Sequence, residues 1–347
     1  MRSVTASRFL AVISAVAAGF LVVLVLLPHD PYVRFREAAT ESVNYLRLRW
    51  IYERIHFDTT PIDVAFIGTS HTQSAIDSRI VEESLRQRGL DLHVVNLAVP
   101  HLGRDLHYLL MRELLESRTV REVVVEVQDF EPRAPHPAFQ RVAGTEDLLS
   151  SPLVVNTGYF ENLVRLPRRQ LDLFALMLAG GWAATFDRAA YQGPHWDDTE
   201  KLHGFERTRD ETHPETYLQD KADLLWLEFK AKEALAARLQ SPDGCSLLKR
   251  YNRLYLQKLL DLAHERRVHV TFLYLPFFHG PAAPHEVRYY KSFGPIVTPQ
   301  AALADATSWL NVDHLNVYGA RRASRWIGET LVMQAPALPP PGDVPCY

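Results

Sequence analysis

The sequence predicts an α/β fold with a parallel sheet, arranged as a three-layer α/β/α sandwich. Short apolar segments alternate with longer amphipathic ones, which is typical of βαβ units. The chain has 347 residues, of which 47% are hydrophobic and 23% are charged, so it is long enough to bury a large core. Together these observations favour one sizeable α/β domain interrupted by an insertion.

The chain begins with a segment that is apolar enough to enter a membrane. From Phe9 to Leu27 there are 19 consecutive residues without a charge, close to the ~20 that span a bilayer. Large aliphatic residues stand before Pro28, where a cleavage site would need small ones. We therefore expect residues 1–30 to form an uncleaved signal anchor, with the amino terminus in the cytoplasm and the domain in the periplasm.

The strand and helix signals then follow in order along the chain. Residues 31–60 read as a helical, arginine-rich stalk; the alternative is an ordinary first helix. The α/β domain is expected from residues 61–130 and 244–334, with strands at 64–67, 93–97, 120–127 and 268–275 and helices at 75–88, 104–117, 246–266 and 316–333. This order predicts a parallel sheet whose carboxyl edge carries the functional site.

An insertion at residues 131–243 separates the two parts of the domain, and we expect it to cap the face that holds the site. Its apolar patch at residues 171–181 is too short to cross a membrane. Its middle, residues 192–220, contains His195, His203 and His213, but no ligand spacing typical of a metal site. The sequence therefore predicts a solvated loop there and no metal, followed after the domain by an irregular tail at 335–347.

Composition excludes two classes of function. The net charge is −3 and no long basic run occurs, so nucleic acid is not an expected partner. Cys245 and Cys346 are the only cysteines, which is too few for a disulfide framework or a cysteine-based zinc site, although one bridge between them is conceivable in an oxidising compartment.

The strongest chemical signal is a serine on a predicted strand-to-helix turn. Strand residues 61–67 run directly into Gly68, Thr69 and Ser70. Such a turn exposes the hydroxyl at the carboxyl end of the sheet and points helix N-terminal amides at a bound acyl group. Ser70 is therefore a candidate nucleophile; the alternative is that this segment is only a helix N-cap.

A histidine near the end of the chain supplies the second half of a serine mechanism. His314 stands beside Asp313, just before the last amphipathic helix. A histidine takes the serine proton, and a carboxylate orients its ring. We expect the two ends of the chain to build one site around Ser70 and His314.

Four segments resemble the SGNH/GDSL hydrolase superfamily, and within it the membrane-anchored, extracytoplasmic DltD-like and alginate O-acetylation proteins. They read FIGTSHTQSAID, VVNLAVPHLG, VVVEVQDF and NVDHLNVYGA. The resemblance covers residues 63–129 and 268–333 and leaves the insertion unmatched. It implies the SGNH-type sandwich, with Ser70 as the nucleophile and His314 as the base.

The chain departs from the pattern of this family where the oxyanion is held. His101 stands where many members have a glycine that donates its amide, and the nearest glycine is Gly103. Gln128 replaces the usual asparagine, and its longer side chain can also donate. The resemblance thus implies Gly103 and Gln128 as oxyanion donors.

A further departure concerns the group that orients the histidine. The family has an aspartate three residues before it, and here that residue is Asn311. Asp313 can take over this role through a shifted loop, or Ser70 and His314 can work as a dyad with Asn311 accepting a hydrogen bond. A third alternative is that catalysis has been lost and binding retained.

The resemblance implies transfer of an acyl group, most simply acetyl, through an acyl-serine to a polysaccharide hydroxyl or to water. It suggests a polytopic membrane acyltransferase as a partner and requires no metal or organic cofactor. We assign substrate contact to His71 and His101, although His71 can also be a solvent-facing residue of the first helical turn. Tyr274, Phe277 and Phe278 either line a pocket or pack in the core. The alternatives to this function are a non-catalytic polysaccharide-binding or assembly subunit and a simple secreted esterase.

Overall fold

The computed structural model describes residues 2–129, 133–153, 155–179, 191, 193, 195, 215–239, 246 and 249–331. Within them lies a five-stranded sheet in the order β2-β1-β3-β4-β5, and all neighbouring strands are parallel. The strands are β1 (Val64–Ile67), β2 (Val94–Asn96), β3 (Glu122–Val127), β4 (His269–Tyr274) and β5 (Ile296–Val297). The prediction of an α/β fold with a parallel sheet is confirmed.

Both faces of the sheet are buried. Successive side chains of a strand point to opposite faces, and on β1 Ala65 and Ile67 join one buried cluster while Val64 and Phe66 join another. Strand β1 has no polar side chain, because a parallel strand that is covered on both faces buries all its side chains.

Helices supply the rest of the two clusters. The helices are α1 (Arg2–Val25), α2 (Pro31–Glu41), α3 (Leu46–His56), α4 (Ser70–Ala75), α5 (Ser78–Gln87), α6 (Arg104–Ser117), α7 (Phe139–Val142), α8 (Thr145–Leu149), α9 (Tyr159–Leu178), α10 (Glu215–Arg238), α11 (Arg250–Arg266), α12 (Val287–Lys291), α13 (Gln300–Leu303) and α14 (Val317–Thr330). Helices α2, α3, α6 and α11 pack in the cluster that contains Ala65. Helices α5 and α14 pack in the other.

Residues 31–60, predicted as a stalk, are helical and lie within the main core. Phe35 and Ile51 are 1% and 0% exposed. Arg47 is also buried, and its guanidinium donates to the backbone carbonyls of Asn96 and Ala98 at the end of β2. These contacts join α3 to the sheet, so this segment is part of the α/β unit.

Helix α1 contains a span from Arg8 to Val25 with a mean hydropathy of 2.4, none of it buried. It is the one helix among the described residues that is long and apolar enough to cross a membrane. Helix α9 of the insertion packs against it.

The insertion is described in two parts. Helices α7 and α9 pack against α2, α9 also packs against α1, and α8 packs against α9. Helix α10 buries Leu218 and Ala222 in the cluster that contains Val64 and Phe66 of the sheet. His195 binds Asp58, with Nδ1 2.7 Å from a carboxylate oxygen. His203, His213, Cys245, Cys346 and the tail at 335–347 lie outside the described residues.

Candidate active site

Ser70 lies on a sharp turn at the carboxyl end of β1, where α4 begins. Thr69 caps the helix, since its Oγ1 accepts a hydrogen bond from the N–H of His71 at 3.2 Å. Gly68 is required before it, because a Cβ at that position would overlap Thr72 and the carboxylate of Glu126. The turn therefore places the half-buried Ser70 hydroxyl at the edge of the sheet, as predicted.

Glu126 fixes this turn from the neighbouring strand β3. It is fully buried and accepts from the N–H of Thr69 at 2.6 Å and from Thr72 Oγ1 at 2.6 Å, with Gln128 Nε2 as a further donor. Because several donors form hydrogen bonds to the carboxylate, they offset the free-energy cost of burying it. The sequence analysis missed Glu126; the available signal was a carboxylate inside the apolar run 123–127.

The structure brings Ser70 and His314 together. Ser70 Oγ lies 2.9 Å from His314 Nε2. The loop that carries His314 is closed by a bridge between Trp309 and Leu315, and Asn316 caps α14 immediately after it. A histidine on this short, tied loop is within reach of the serine proton.

Both candidate orienting groups lie at the other nitrogen of the ring. His314 Nδ1 is 2.8 Å from Asp313 Oδ1 and 3.1 Å from Asn311 Oδ1. Asn311 Oδ1 also accepts the N–H groups of Asp313 and His314, at 3.1 and 2.8 Å. Since Asn311 is occupied by the backbone and Asp313 is closer and charged, Asp313 is the stronger partner of the ring.

The electrostatics of Asp313 fit this role. Burial alone would raise the pKa of its carboxyl, but the contact with His314 and the nearby ring of His71 outweigh burial and hold this pKa well below the usual range. The carboxylate is therefore ionised at neutral pH and can stabilise an imidazolium at His314.

His71 stands behind Asp313 instead of facing solvent. Its Nε2 lies 3.9 Å from Asp313 Oδ2 and its Nδ1 lies 3.8 Å from Glu126 Oε1; its ring meets that of His314 edge-on, with centroids 5.2 Å apart. Burial lowers the pKa of His71, but Asp313 and Glu126 outweigh burial and raise it. The alternative of a solvent-facing first-turn residue is wrong, because two carboxylates draw the ring inward.

His71, Asp313 and His314 are also a possible metal-binding set. Ligand atoms of His71, Asp313 and His314 all lie within 4.8 Å of one another. Here both nitrogens of His314 are engaged, one with Ser70 and the other with Asp313. The contacts of His314 therefore fit a hydrogen-bonded serine site. That the protein needs no metal stays a prediction.

The two predicted oxyanion donors lie in the segments that follow strands β2 and β3. Gly103 begins α6 with a φ of 159°, and its neighbour Leu102 lines the cavity beside His71. Gln128 lines this cavity too, with one N–H directed to Glu126. The amide has a second hydrogen that Glu126 does not take up, and the oxyanion role of both residues stays a prediction.

His101, predicted to touch substrate, is turned the other way. Its φ is 80°, and its ring contacts Asn44, with nitrogens 3.3 Å apart, and packs against Tyr45 and His136. It does not line the cavity beside the serine. The left-handed backbone at this position points the side chain toward the link between α2 and α3.

Two adjoining cavities lie next to the site: His71 and Asp313 line the first of them, and neither Ser70 nor His314 is among the lining residues of either. The first, the serine-side cavity, has a volume of about 190 Å³ and is lined by His71, Leu102, Val127, Gln128, Asp129, Tyr274, Leu275, Pro276, Phe277 and Asp313, with Leu225, Glu228, Phe229 and Lys232 from α10. Tyr274 and Phe277 thus line a cavity, whereas Phe278 is fully buried in the core.

The second, the basic cavity, has a volume of about 340 Å³ and shares Leu102, Gln128, Asp129 and Lys232 with the first. Five of its lining side chains are cations and two are carboxylates: Arg104, Arg133, Lys232, Lys249 and Arg253 against Asp129 and Glu286. Burial also raises the pKa of Asp129. The basic cavity therefore carries an excess of positive charge.

No family model matches the sequence, and no curated protein matches it. The functional argument therefore proceeds from the geometry around Ser70.

Proposed function

We propose that the chain is a membrane-anchored, extracytoplasmic serine O-acyltransferase or esterase of the SGNH/GDSL type. The observation that carries this proposal is one continuous set of contacts. Ser70 Oγ lies 2.9 Å from His314 Nε2, and His314 Nδ1 lies 2.8 Å from Asp313. A nucleophile, a base and an orienting carboxylate in this order are the parts that acyl transfer requires.

In the first half-reaction, His314 Nε2 takes the proton of Ser70 as Oγ attacks the acyl carbonyl carbon. The charge on the carbonyl oxygen is stabilised by the Ser70 N–H at the start of α4, with Gly103 and Gln128 as the other donors. The carbon–oxygen bond to the leaving group breaks, His314 returns the proton to the departing oxygen, and an acyl-Ser70 remains.

In the second half-reaction, His314 removes the proton of an acceptor hydroxyl, which attacks the acyl-serine. The bond to Ser70 Oγ breaks, and the proton returns to Ser70. A sugar hydroxyl gives an O-acylated glycan, while water gives the free acid. Asp313 holds the ring through both steps and offsets the charge of the imidazolium.

The acceptor that suits the site is a cell-surface or exported polysaccharide. Tyr274, Phe277 and Phe229 give the serine-side cavity the aromatic walls on which sugar rings pack. The excess of cations in the basic cavity favours a glycan with acidic groups. Helix α10 forms one wall of both cavities, which supports a capping role for the insertion.

Helix α1 supports single-pass anchoring. The proposed orientation has the amino terminus in the cytoplasm and the α/β unit in the periplasm. In this arrangement a polytopic membrane acyltransferase supplies the acyl group, and acetyl is the simplest donor group. The competing function is a polysaccharide-binding or assembly subunit without catalysis. The hydrogen-bonded order of Ser70, His314 and Asp313 favours the enzyme, because binding alone does not require it.

Turnover of an activated acetyl ester by the full-length protein in nanodiscs tests the proposal. We expect Ser70→Ala and His314→Ala to abolish ester cleavage and acetyl transfer to an acidic oligosaccharide. Ser78→Ala, a nearby serine that does not contact His314, is the control and keeps both activities. Equal rates in all four proteins would instead favour the binding subunit.

A further inference from the structure

Helix α9 leaves the α/β unit and runs to the apolar helix α1. It packs against α1 and α2. After Asp172 it has no charged residue through its end at Leu178, where Leu176 and Leu178 are 38% and 67% exposed. An exposed apolar helix end beside an apolar helix fits the same environment as that helix, namely lipid.

Three basic side chains gather where α1, α2 and α9 converge, and we call them the basic cluster: His29 after α1, Arg34 on α2 and Arg169 on α9. Arg34 is only 8% exposed. Burial and the charges of Arg34 and Arg169 lower the pKa of His29 to about 4. The cluster therefore holds two guanidinium charges beside a neutral imidazole.

Several buried polar atoms of the basic cluster have no hydrogen-bond partner among the described residues. They are Arg34 Nε, Arg169 Nε and Nη1, and His29 Nδ1. Arg169 Nη2 is satisfied, since it donates to the carbonyls of Arg141 and Ala143 at 2.7 Å each. A buried guanidinium with unused donors is stabilised by an anion.

Asp30 acts on His29, and it caps α2 by accepting the N–H of Tyr32 at 2.8 Å. The other carboxylates around the basic cluster have partners elsewhere. Asp147 accepts from both terminal nitrogens of Arg112 at 2.6 and 2.8 Å. Glu41 lies 2.9 Å from Arg141, and Glu113 lies 3.2 Å from His56. Although Asp147 and Glu113 act on Arg34 at longer range, the cluster keeps an excess of positive charge.

The position of the basic cluster along the chain sets its depth in a membrane. The apolar span has 18 residues and ends at Val25; at ~1.5 Å per residue it is ~27 Å long, about the thickness of the hydrocarbon core. His29 follows within a few residues, which is the level of lipid headgroups. His29 thus lies at the depth at which lipid phosphates are found.

We propose that His29, Arg34 and Arg169 bind the phosphate of an anionic phospholipid whose acyl chains lie against α1 and the apolar end of α9. The guanidinium groups match the geometry of phosphate oxygens. A lipid that carries no ammonium group leaves this phosphate charge uncompensated by its own headgroup. The proposal rests on the membrane anchoring proposed above and is independent of the acyl chemistry.

Native mass spectrometry of the full-length protein, released from nanodiscs of phosphatidylglycerol and phosphatidylcholine, tests this site. We expect the wild type to retain one phosphatidylglycerol, with about tenfold preference over phosphatidylcholine. Arg34→Gln and Arg169→Gln are expected to lose this preference. Arg36→Gln, which removes a half-exposed arginine of the same helix that pairs with Glu37, is the matched control and keeps it.

Two results would overturn the proposal. One is equal retention of both lipids by the wild type, a comparison that needs no variant and so does not depend on the folding of Arg34→Gln. The other is complete displacement of the lipid by millimolar inorganic phosphate, which would identify a site for soluble anions. Flotation of each protein with vesicles separates these outcomes from a failure of anchoring. A wild type that does not float with vesicles is not anchored, and the proposed lipid site would then have no basis.

Discussion

At the scale of single residues, the account depends on Asp313, rather than Asn311, orienting the ring of His314. Both side chains reach His314 Nδ1, but only Asp313 brings a negative charge. We expect Asp313→Asn to lower turnover by about 10³- to 10⁴-fold, because an amide does not stabilise the imidazolium. Steady-state kinetics with an activated acetyl ester measure this loss.

A rescue experiment sharpens that prediction. In the double variant Asp313→Asn with Asn311→Asp, the carboxylate moves to a position that is still 3.1 Å from the ring nitrogen. We expect turnover in this double variant to be at least tenfold higher than in Asp313→Asn. No loss in Asp313→Asn would contradict the role given to Asp313.

His71 is expected to act as a positioning residue through Asp313. Its raised pKa favours the protonated ring in the folded state, so its contribution to stability is full below its unfolded pKa of about 6.5 and declines as pH rises through the higher folded pKa. We expect the difference in Tm between the wild type and His71→Gln to be larger at pH 5.5 than at pH 9.

Kinetics separate this positioning role from a purely structural one. We expect His71→Gln to lower kcat about tenfold, with KM little changed, because the misplaced carboxylate acts on chemistry rather than on binding. The exposed His264→Gln serves as the control. A Tm difference that is independent of pH would remove the charge-based explanation.

At the scale of elements, Glu126 joins β3 to the turn that carries Ser70. Its carboxylate is buried and accepts from Thr69, Thr72 and Gln128. We expect Glu126→Gln to lower the free energy of unfolding by about 2 kcal/mol. The amide N–H₂ of glutamine would face donor groups that now bind the carboxylate, so hydrogen bonds would be lost. Urea denaturation measures this change.

Glu122 provides a matched control on the same strand. It is 1% exposed, and neither carboxylate oxygen accepts a hydrogen bond within the described residues. Glu122→Gln should therefore cost much less than Glu126→Gln. Equal losses in the two variants would show that burial of the charge, rather than its hydrogen bonds, sets the effect.

The elements also show what the sequence can predict. Helix α6 was predicted at residues 104–117 and has these bounds, because one amphipathic period covers it without interruption. The helix predicted at residues 75–88 begins only at Ser78, since Asp77 caps it by accepting from the N–H of Arg79 at 3.0 Å, and the separate helix α4 ends at Ala75. The N-cap at Asp77, rather than the hydrophobic period, therefore sets where this helix begins.

The candidate site was predictable only in part, for a physical reason. The pairing of Ser70 with His314 follows from two local motifs and the shared carboxyl edge of a parallel sheet. The contacts of Glu126 and His71 depend on β3 lying next to β1 in a particular register. Pairing between distant segments of the chain is not visible in either local motif.

At the scale of the whole molecule, the anchor and the orientation of the domain are open to a direct test. We expect the full chain to stay in membranes after an alkaline carbonate wash, and a carboxyl-terminal alkaline phosphatase fusion to be active, since the domain is placed in the periplasm. Deletion of residues 9–27 serves as the control and should abolish both. A membrane-bound but inactive fusion would reverse the proposed topology.

The combined cavities are expected to select the acceptor. Lys232 lines both of them, so Lys232→Ala should raise the KM for an acidic oligosaccharide about threefold, while KM for a neutral one stays the same. Lys221→Ala on the same helix is the matched control. An equal effect on both acceptors would remove charge as the basis of selection.

The central claim is that Ser70 carries the acyl group, and intact-mass analysis of the full-length protein after exposure to an activated acetyl ester tests it most directly. The account predicts a time-dependent gain of one acetyl group, located on Ser70 by peptide mapping and absent from Ser70→Ala and His314→Ala. Equal labelling of all three proteins, or no labelling of the wild type by any acyl donor, would contradict it.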